Sequence, residues 1–218
     1  MTGMYHRSWF VFAVYGALVG CAACIHYNQF ELFNLMPGLC FLAVCVIPMI
    51  RNSYTQMVQY MALSLVAFML LWAFMHLGWI MQLNSGIYIA IYIIILTEVF
   101  ENFYLRASRH FKNIKLVSRI TPKRRLEGYV IGAVATLAVA WLFKDFTPYG
   151  QYWWALGSAC FIFGSTGNTV LVVIRRDLGI KVHDSFVIGR GDFFTRIERL
   201  VFVAPAAFYV IKYLEGMA

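Results

Sequence analysis

Residues Ile174–Leu200 read IRRDLGIKVHDSFVIGRGDFFTRIERL, ten charged side chains in a chain of 218 residues that is 61% hydrophobic and only 13% charged. The stretch lies between two apolar runs, Tyr152–Ile174 and Leu200–Tyr213. Such a segment reads as a loop at a membrane surface, with the runs on either side as spans. A soluble domain carries about 25% charged residues, so the composition points the same way. Five further runs are apolar throughout: Trp9–Ile25, Leu35–Ile50, Val58–Ile80, Gly86–Tyr104 and Tyr129–Leu142. A span takes about 20 residues, so the run ends are approximate. A large soluble helical core is the competing reading, and it fails because seven apolar runs come without the polar faces that soluble helices turn to water. The expected fold is all-α and polytopic, about seven transmembrane helices forming a single membrane domain over residues 1–218.

Charge placement gives the orientation. With the N terminus inside, Arg7, Arg51, the cluster from Arg106 to Arg125 and the six basic residues between Arg175 and Arg199 all fall on the inner side, leaving only Lys144 and Lys212 outside. Sixteen of the eighteen basic residues thus lie on one side, which supports both the span number and an inner face that is cytoplasmic or matrix. The net charge of +8 belongs to that face. It suits anionic lipid headgroups or a phosphate-bearing solute, and topology alone also accounts for it. Nucleic acid is not an expected partner, because the basic loops lie against the membrane and contain no recognition fold.

Cys21, Cys24, Cys40, Cys45 and Cys160 all fall inside expected spans. The CxxC spacing of the first two has no second pair to complete a metal site, so these read as small span residues. The first run is long and lacks a small-x-small cleavage site, and it reads as a retained span. No internal repeat is visible.

The polar residues concentrate toward the inner side. Glu98 and Glu101 end the fourth run in LTEVFENFY, three apart and on one helix face. Carboxylates at hydrocarbon depth are costly unless hydrated, paired or bound to a cation, so these sit at the interface or line a polar cavity. The segment RASRHFKNIKLVSRITPKRRLEG follows with eight basic residues. Its Pro122 is expected to open the fifth helix, with Thr121 as cap and Arg124, Arg125 and Glu127 in the early turns. A basic cluster beside a helix start can grip phosphates, and Glu127 is also favourable at the positive helix end. In the sixth run, GSTGN (Gly164–Asn168) either packs helices closely, its hydroxyls bonding across them, or forms the floor of a headgroup site. Gly189 and Gly191 flank Arg190 and permit a tight turn or close approach to a ligand. The triplet Arg190, Gly191, Asp192 is set aside as an adhesion motif.

Two of these segments resemble the phosphatidate cytidylyltransferase, or CDP-diacylglycerol synthase, family of integral membrane enzymes. In FKNIKLVSRITPKRRLEG, residues Thr121, Pro122, Lys123, Arg124, Glu127 and Gly128 fall on the family's Ser-Pro-Lys-Lys-x-x-Glu-Gly. GNTVLVVIRRDLGIKVHDSFVIGRGDFFTRIERL follows the signature of Gly-Asp, Lys-Arg, Lys-Asp, Gly-His-Gly-Gly and Asp-Arg-x-Asp. Gly167, Arg175, Arg176, Lys181, Gly189, Gly191 and Arg196 match, and Glu198 is a conservative replacement. Asn168, Val182 and Thr195 stand where the family has aspartates, Arg190 replaces the histidine, and Asp192 replaces the last glycine. Upstream, Glu101 falls on an aspartate at the end of a family span.

The resemblance implies a cytidylyltransferase-like membrane fold and a reaction joining phosphatidate to CTP with release of pyrophosphate and help from Mg²⁺. It implies catalytic roles for Arg175, Arg176, Lys181 and Arg196, and substrate binding by Lys123, Arg124, Glu127, Asn168 and Arg190. Glu101, Asp192 and Glu198 remain as candidate metal ligands. Hard divalent ions need oxygen ligands, usually carboxylates, and Asn168 and Thr195 bring no negative charge. The basic half of the motif is therefore better kept than the acidic half. Two functions stay open: an atypical phosphatidate cytidylyltransferase that uses Mg²⁺, and an inactive relative needing no cofactor that binds anionic phospholipid or CDP-lipid, or serves as a structural subunit of a membrane complex. A homodimer also remains open. A CDP-alcohol phosphotransferase is disfavoured by the lack of an Asp-Gly-x-x-Ala-Arg element, and a transporter by the lack of paired repeats.

Overall fold

The computed structural model describes residues 8–50, 57–110, 115–117, 121–177 and 193–216. They form seven helices: α1 (Ser8–His26), α2 (Phe30–Ile50), α3 (Met57–Gln82), α4 (Gly86–His110), α5 (Leu126–Leu142), α6 (Trp153–Asp177) and α7 (Phe193–Glu215). Between α4 and α5 lie two short strands, β1 (Lys115–Val117) and β2 (Thr121–Arg125). Each expected apolar run falls on one helix, so the all-helical expectation holds for the body of the chain. Two stretches, Ser64–Gln82 in α3 and Gly86–His110 in α4, are long and apolar enough to cross a membrane, with mean hydropathies of 1.8 and 1.6.

The fifth helix starts later than expected. Thr121 and Pro122 were assigned to its cap and first turn, and Arg124 and Arg125 to its early turns, but all four lie in β2, which pairs antiparallel with β1 from Lys115↔Arg125 to Val117↔Thr121. A proline is tolerated in a two-stranded ribbon, where each strand is an edge, and the partner that extends the chain here is not visible in any local pattern. Glu127 keeps its expected place in the first turn of α5.

The contacts divide the chain into two compact units, Met1–Trp79 and Ile80–Ala218. In the first, α1 and α2 form a hairpin whose three-residue turn puts Asn28 at φ 55°, a left-handed conformation that asparagine tolerates better than most residues. Phe33 is fully buried and is the centre of an aromatic cluster. Trp72 stacks on it at 5.8 Å and donates its indole N–H to the Phe33 carbonyl at 3.1 Å, while His76 and Trp79 meet the ring edge-on. Cys21 and Cys24 are buried free thiols.

In the second unit α4 is the shared element, packing on α5, α6 and α7. One of its faces, through Ile89, Ile93, Leu96, Phe100 and Tyr104, is buried at helical spacing. The opposite face is also apolar, with Ile87, Ile91, Ile94 and Ile95 exposed. The Tyr92 hydroxyl donates to the Ala140 carbonyl at 2.8 Å, near the far end of α5, so α4 and α5 run antiparallel. At the other end a Cβ on Gly128 would sit 2.0 Å from the Ser108 hydroxyl and 2.8 Å from the Tyr104 carbonyl, so only glycine fits. Beyond α5, the Tyr149 hydroxyl hydrogen-bonds Glu215 at the end of α7. Burial first, and then this bond, raise the Tyr149 hydroxyl above its ordinary pKa, so it stays protonated as the donor.

A Cβ on Gly167 of α6 would lie 2.5 Å from the Phe202 ring of α7, whereas one on Gly16 of α1 would meet nothing within 4 Å. Gly167→Leu is expected to lower the unfolding free energy by about 1–3 kcal/mol from overpacking. Gly16→Leu, with the same gain in helix propensity, should leave stability at or above the parent value. Denaturant unfolding of the purified variants compares the two; equal stabilities would refute the close α6–α7 contact.

Candidate functional site

The helices of the second unit can be aligned level by level. A Cβ on Gly164 of α6 would be 3.5 Å from both Thr97 of α4 and Val203 of α7, so these three positions share one level. With α4 and α6 running one way and α7 the other, the next turn toward the charged segments carries Glu101, Asn168 and Arg199. Gly128 and Glu127 of α5 lie further toward the same end, beside Tyr104 and Ser108. The end of α4, the starts of α5 and α7 and the end of α6 thus come together, bringing the described parts of both motif segments to one end of the bundle.

Arg199 is 7% exposed, and its Nη2 lies 3.1 Å from Oε1 of Glu98, whose side chain is 24% exposed. Sequence reasoning noted Glu98 as a costly carboxylate but counted Arg199 only among the loop charges. The signal available was the RIER pattern, a cation at the point where the chain re-enters apolar surroundings. Glu98 also accepts a bond at its backbone carbonyl from the Asn102 amide at 2.9 Å. It opens, with Asn102 and Arg106, onto a depression of about 360 Å³ whose other walls are Ile94, Ile95, Val99 and Phe103. A wider polar depression of about 600 Å³, lined by Lys144, Asp145, Thr147, Gln151 and their neighbours, lies where α5 ends and α6 begins, away from the motif segments.

The GSTGN hydroxyls are turned to their own helix. Ser165 and Thr166 donate to the Ile162 carbonyl at 2.9 Å each, and Thr169 to the Ser165 carbonyl at 2.8 Å. These bonds run within α6. The close packing expected of Gly164 and Gly167 is present.

Of the expected site residues, Lys123 and Arg124 lie in β2, and Glu127 is the second residue of α5. Asn168, Arg175 and Arg176 lie in the second half of α6, and Arg196 and Glu198 in the first turns of α7. Glu101 lies in α4, partly buried. Lys181, Arg190 and Asp192 fall outside the described residues. Among the described residues no three His, Cys, Asp or Glu side chains group to hold a metal ion. Glu98, the carboxylate nearest in sequence to Glu101 on α4, is engaged by Arg199.

A model of the cytidylyltransferase family matches residues 2–214, and the chain belongs to that family. Its relatives include the uncharacterized protein YnbB of Escherichia coli K12, 29% identical over 153 residues that cover 66% of this chain and 51% of that protein. The phosphatidate cytidylyltransferase of Thermotoga maritima is 24% identical over 143 residues, 59% of this chain and 50% of its own length. Phosphatidate cytidylyltransferase 4, chloroplastic, of Arabidopsis thaliana is 28% identical over 115 residues, 51% of this chain and 29% of its own. The chain spans about half the length of the first two relatives.

The Glu98–Arg199 contact sets a test of the packing itself. Glu98→Ala, which leaves a buried guanidinium without this carboxylate, should cost about 3–5 kcal/mol, and adding Arg199→Met should recover most of that loss. A double-mutant cycle by denaturant unfolding measures the coupling, and simple additivity of the two losses would show that the pair does not join α4 to α7.

Proposed function

We propose that this chain is a membrane-embedded, phosphatidate cytidylyltransferase-like protein that takes an anionic lipid phosphate, phosphatidate or a CDP-lipid, together with CTP, at the end of α4–α7 where the basic segments lie. The family match over residues 2–214 carries this reading. In the reaction so assigned, a phosphate oxygen of phosphatidate attacks the α-phosphorus of CTP, forming a new P–O bond while the bond to pyrophosphate breaks. Both reactants are polyanions, so binding and charge stabilisation fall to cations. Lys123 and Arg124 precede α5, Arg175 and Arg176 end α6, and Arg196 begins α7. Their elements converge, which supports a common phosphate site served by one ammonium and several planar guanidinium forks.

The membrane assignment rests on the two long apolar helices and on the outward isoleucines of α4. A contiguous apolar exterior opposite a packed apolar face suits hydrocarbon on the outside. All seven helices are assigned as spans, with the basic segments on the inner side. A reporter joined after Ala218 is then expected outside, opposite one placed in the Lys112–Arg119 segment. Both reporters on the same side would overturn the seven-span arrangement.

A second reading, binding without turnover as a lipid-binding or structural subunit, is favoured by Asn168 and Thr195, neither of which offers a charged ligand to Mg²⁺. Purified protein given phosphatidate, CTP and Mg²⁺ separates the two when CDP-diacylglycerol and pyrophosphate are measured. Phosphatidate binding is expected, with little turnover, and Asn168→Asp with Thr195→Asp should raise turnover by about tenfold or more if the scaffold is retained. Arg175→Gln with Arg176→Gln should weaken phosphatidate binding by about tenfold. Binding unchanged in the folded double variant would sink the assignment of the phosphate site.

A further inference from the structure

Burial and level single out Arg199. Among the described buried residues it is the one permanently charged side chain, since a guanidinium keeps its proton inside a protein. It lies one helical turn along α7 from Thr195 and on the level of Asn168, the two positions where the family resemblance implies aspartates. Its partner Glu98 is followed three residues later on α4 by Glu101. A carboxylate on a helix in apolar surroundings requires a counter-charge. A divalent ion is one way to supply it, and here a guanidinium stands 3.1 Å from Glu98. A dication at the same place would meet a fixed like charge where little water screens the repulsion.

We infer that Arg199 replaces a divalent metal as the counter-charge to Glu98 on α4, so that the proposed site accepts an anionic phosphate without Mg²⁺. The inference rests on the phosphate site proposed above and changes what that site needs. Where the acidic positions 168 and 195 are neutral, two metal-binding charges are missing; Arg199 removes the need for the ion those charges would have held. Arg199 is a positioning residue here, acting on the ligand through Glu98. A purely structural ion pair would set stability and leave the metal requirement of binding untouched.

The test uses the full chain in nanodiscs of phosphatidylcholine with and without phosphatidate, and CTP in solution as a separate arm, each in excess EDTA and in Mg²⁺. Phosphatidate binding assigns the phosphate to lipid and CTP binding assigns it to nucleotide; either should differ by less than about twofold between the two conditions. Arg199→Gln should weaken binding in EDTA by about tenfold or more and regain it in Mg²⁺, because Glu98 then lacks its fixed counter-charge. The same variant should bind Mn²⁺, read by water-proton relaxation, where the parent protein does not. Glu98→Gln with Arg199→Gln keeps a hydrogen-bonding pair of similar shape, and should bind the anion without metal and take up no Mn²⁺.

Parent protein that loses its ligand in EDTA and regains it in Mg²⁺ would overturn the inference and leave the proposed function standing, and this arm decides the matter even where Arg199→Gln does not fold. Folded Arg199→Gln with no gain of metal dependence would overturn it equally. If the parent binds neither phosphatidate nor CTP under either condition, the proposed function falls, and the Mn²⁺ arm still judges Arg199: uptake by the variant alone supports the counter-charge role, and uptake by the parent refutes it.

Discussion

A buried guanidinium has to be accompanied by a carboxylate, and that requirement fixes α7 on α4. Arg199 cannot shed its proton, so removing it from water requires a carboxylate beside it, and Glu98 is there at 3.1 Å. The pair sets the height at which α7 meets α4, and two glycines of α6 allow the third helix to enter the junction. Gly164 faces Thr97 and Val203 at van der Waals distance, and Gly167 leaves the space that the Phe202 ring fills. Once these three helices are in register, the levels of Glu101 and Asn168 follow from the helical repeat. Gly128 then brings the start of α5 against Tyr104 and Ser108, adding Glu127 and the end of β2 to the same end of the bundle.

Most of the helices were legible because apolar runs and helices coincide in a chain of this composition. Gly86–Tyr104 became Gly86–His110, and Trp9–Ile25 became Ser8–His26. The largest extension is the last helix, expected from Leu200 and found from Phe193. Hydropathy sees only the apolar part of such a helix, whereas its backbone continues through RIER, at whose end Arg199 has a partner on another helix. The ribbon was illegible for a related reason. Thr121–Arg125 looks like a capped helix start in isolation, and its extended form depends on pairing with Lys115–Val117. Both misreadings concern residues whose conformation is decided by a partner beyond the local window.

The site was legible in its ingredients and not in its pairing. The elements that carry the described parts of the two motif segments come together at one end of the bundle. Glu98 was expected to need hydration, a partner or a cation, and it has a partner. Which cation could not be read, because Arg199 belongs to a stretch whose other charges were assigned to a surface loop. The hydroxyls of GSTGN were ambiguous between bonding across helices and bonding within one, and backbone carbonyls one turn back are always within reach of a helical Ser or Thr.

That local satisfaction bears on how a charged site can exist in an apolar bundle. Thr97, Thr136, Ser165 and Thr169 each donate to a carbonyl of their own helix, so each has a local acceptor wherever a neighbouring helix sits. Charge is different, because no backbone group one turn back can neutralise it. A hydroxyl satisfied within its own helix is therefore compatible with many helix registers, while Tyr92, which donates across to Ala140, and the Glu98–Arg199 pair are compatible with few. Register in this unit is specified by volume at the glycines, by the Tyr92–Ala140 bond and by charge at the Glu98–Arg199 pair, and that pair lies toward the end of the bundle where the phosphate site is proposed. A substitution there changes both quantities at once, which is why the metal dependence of binding, rather than stability, separates the two roles of Arg199.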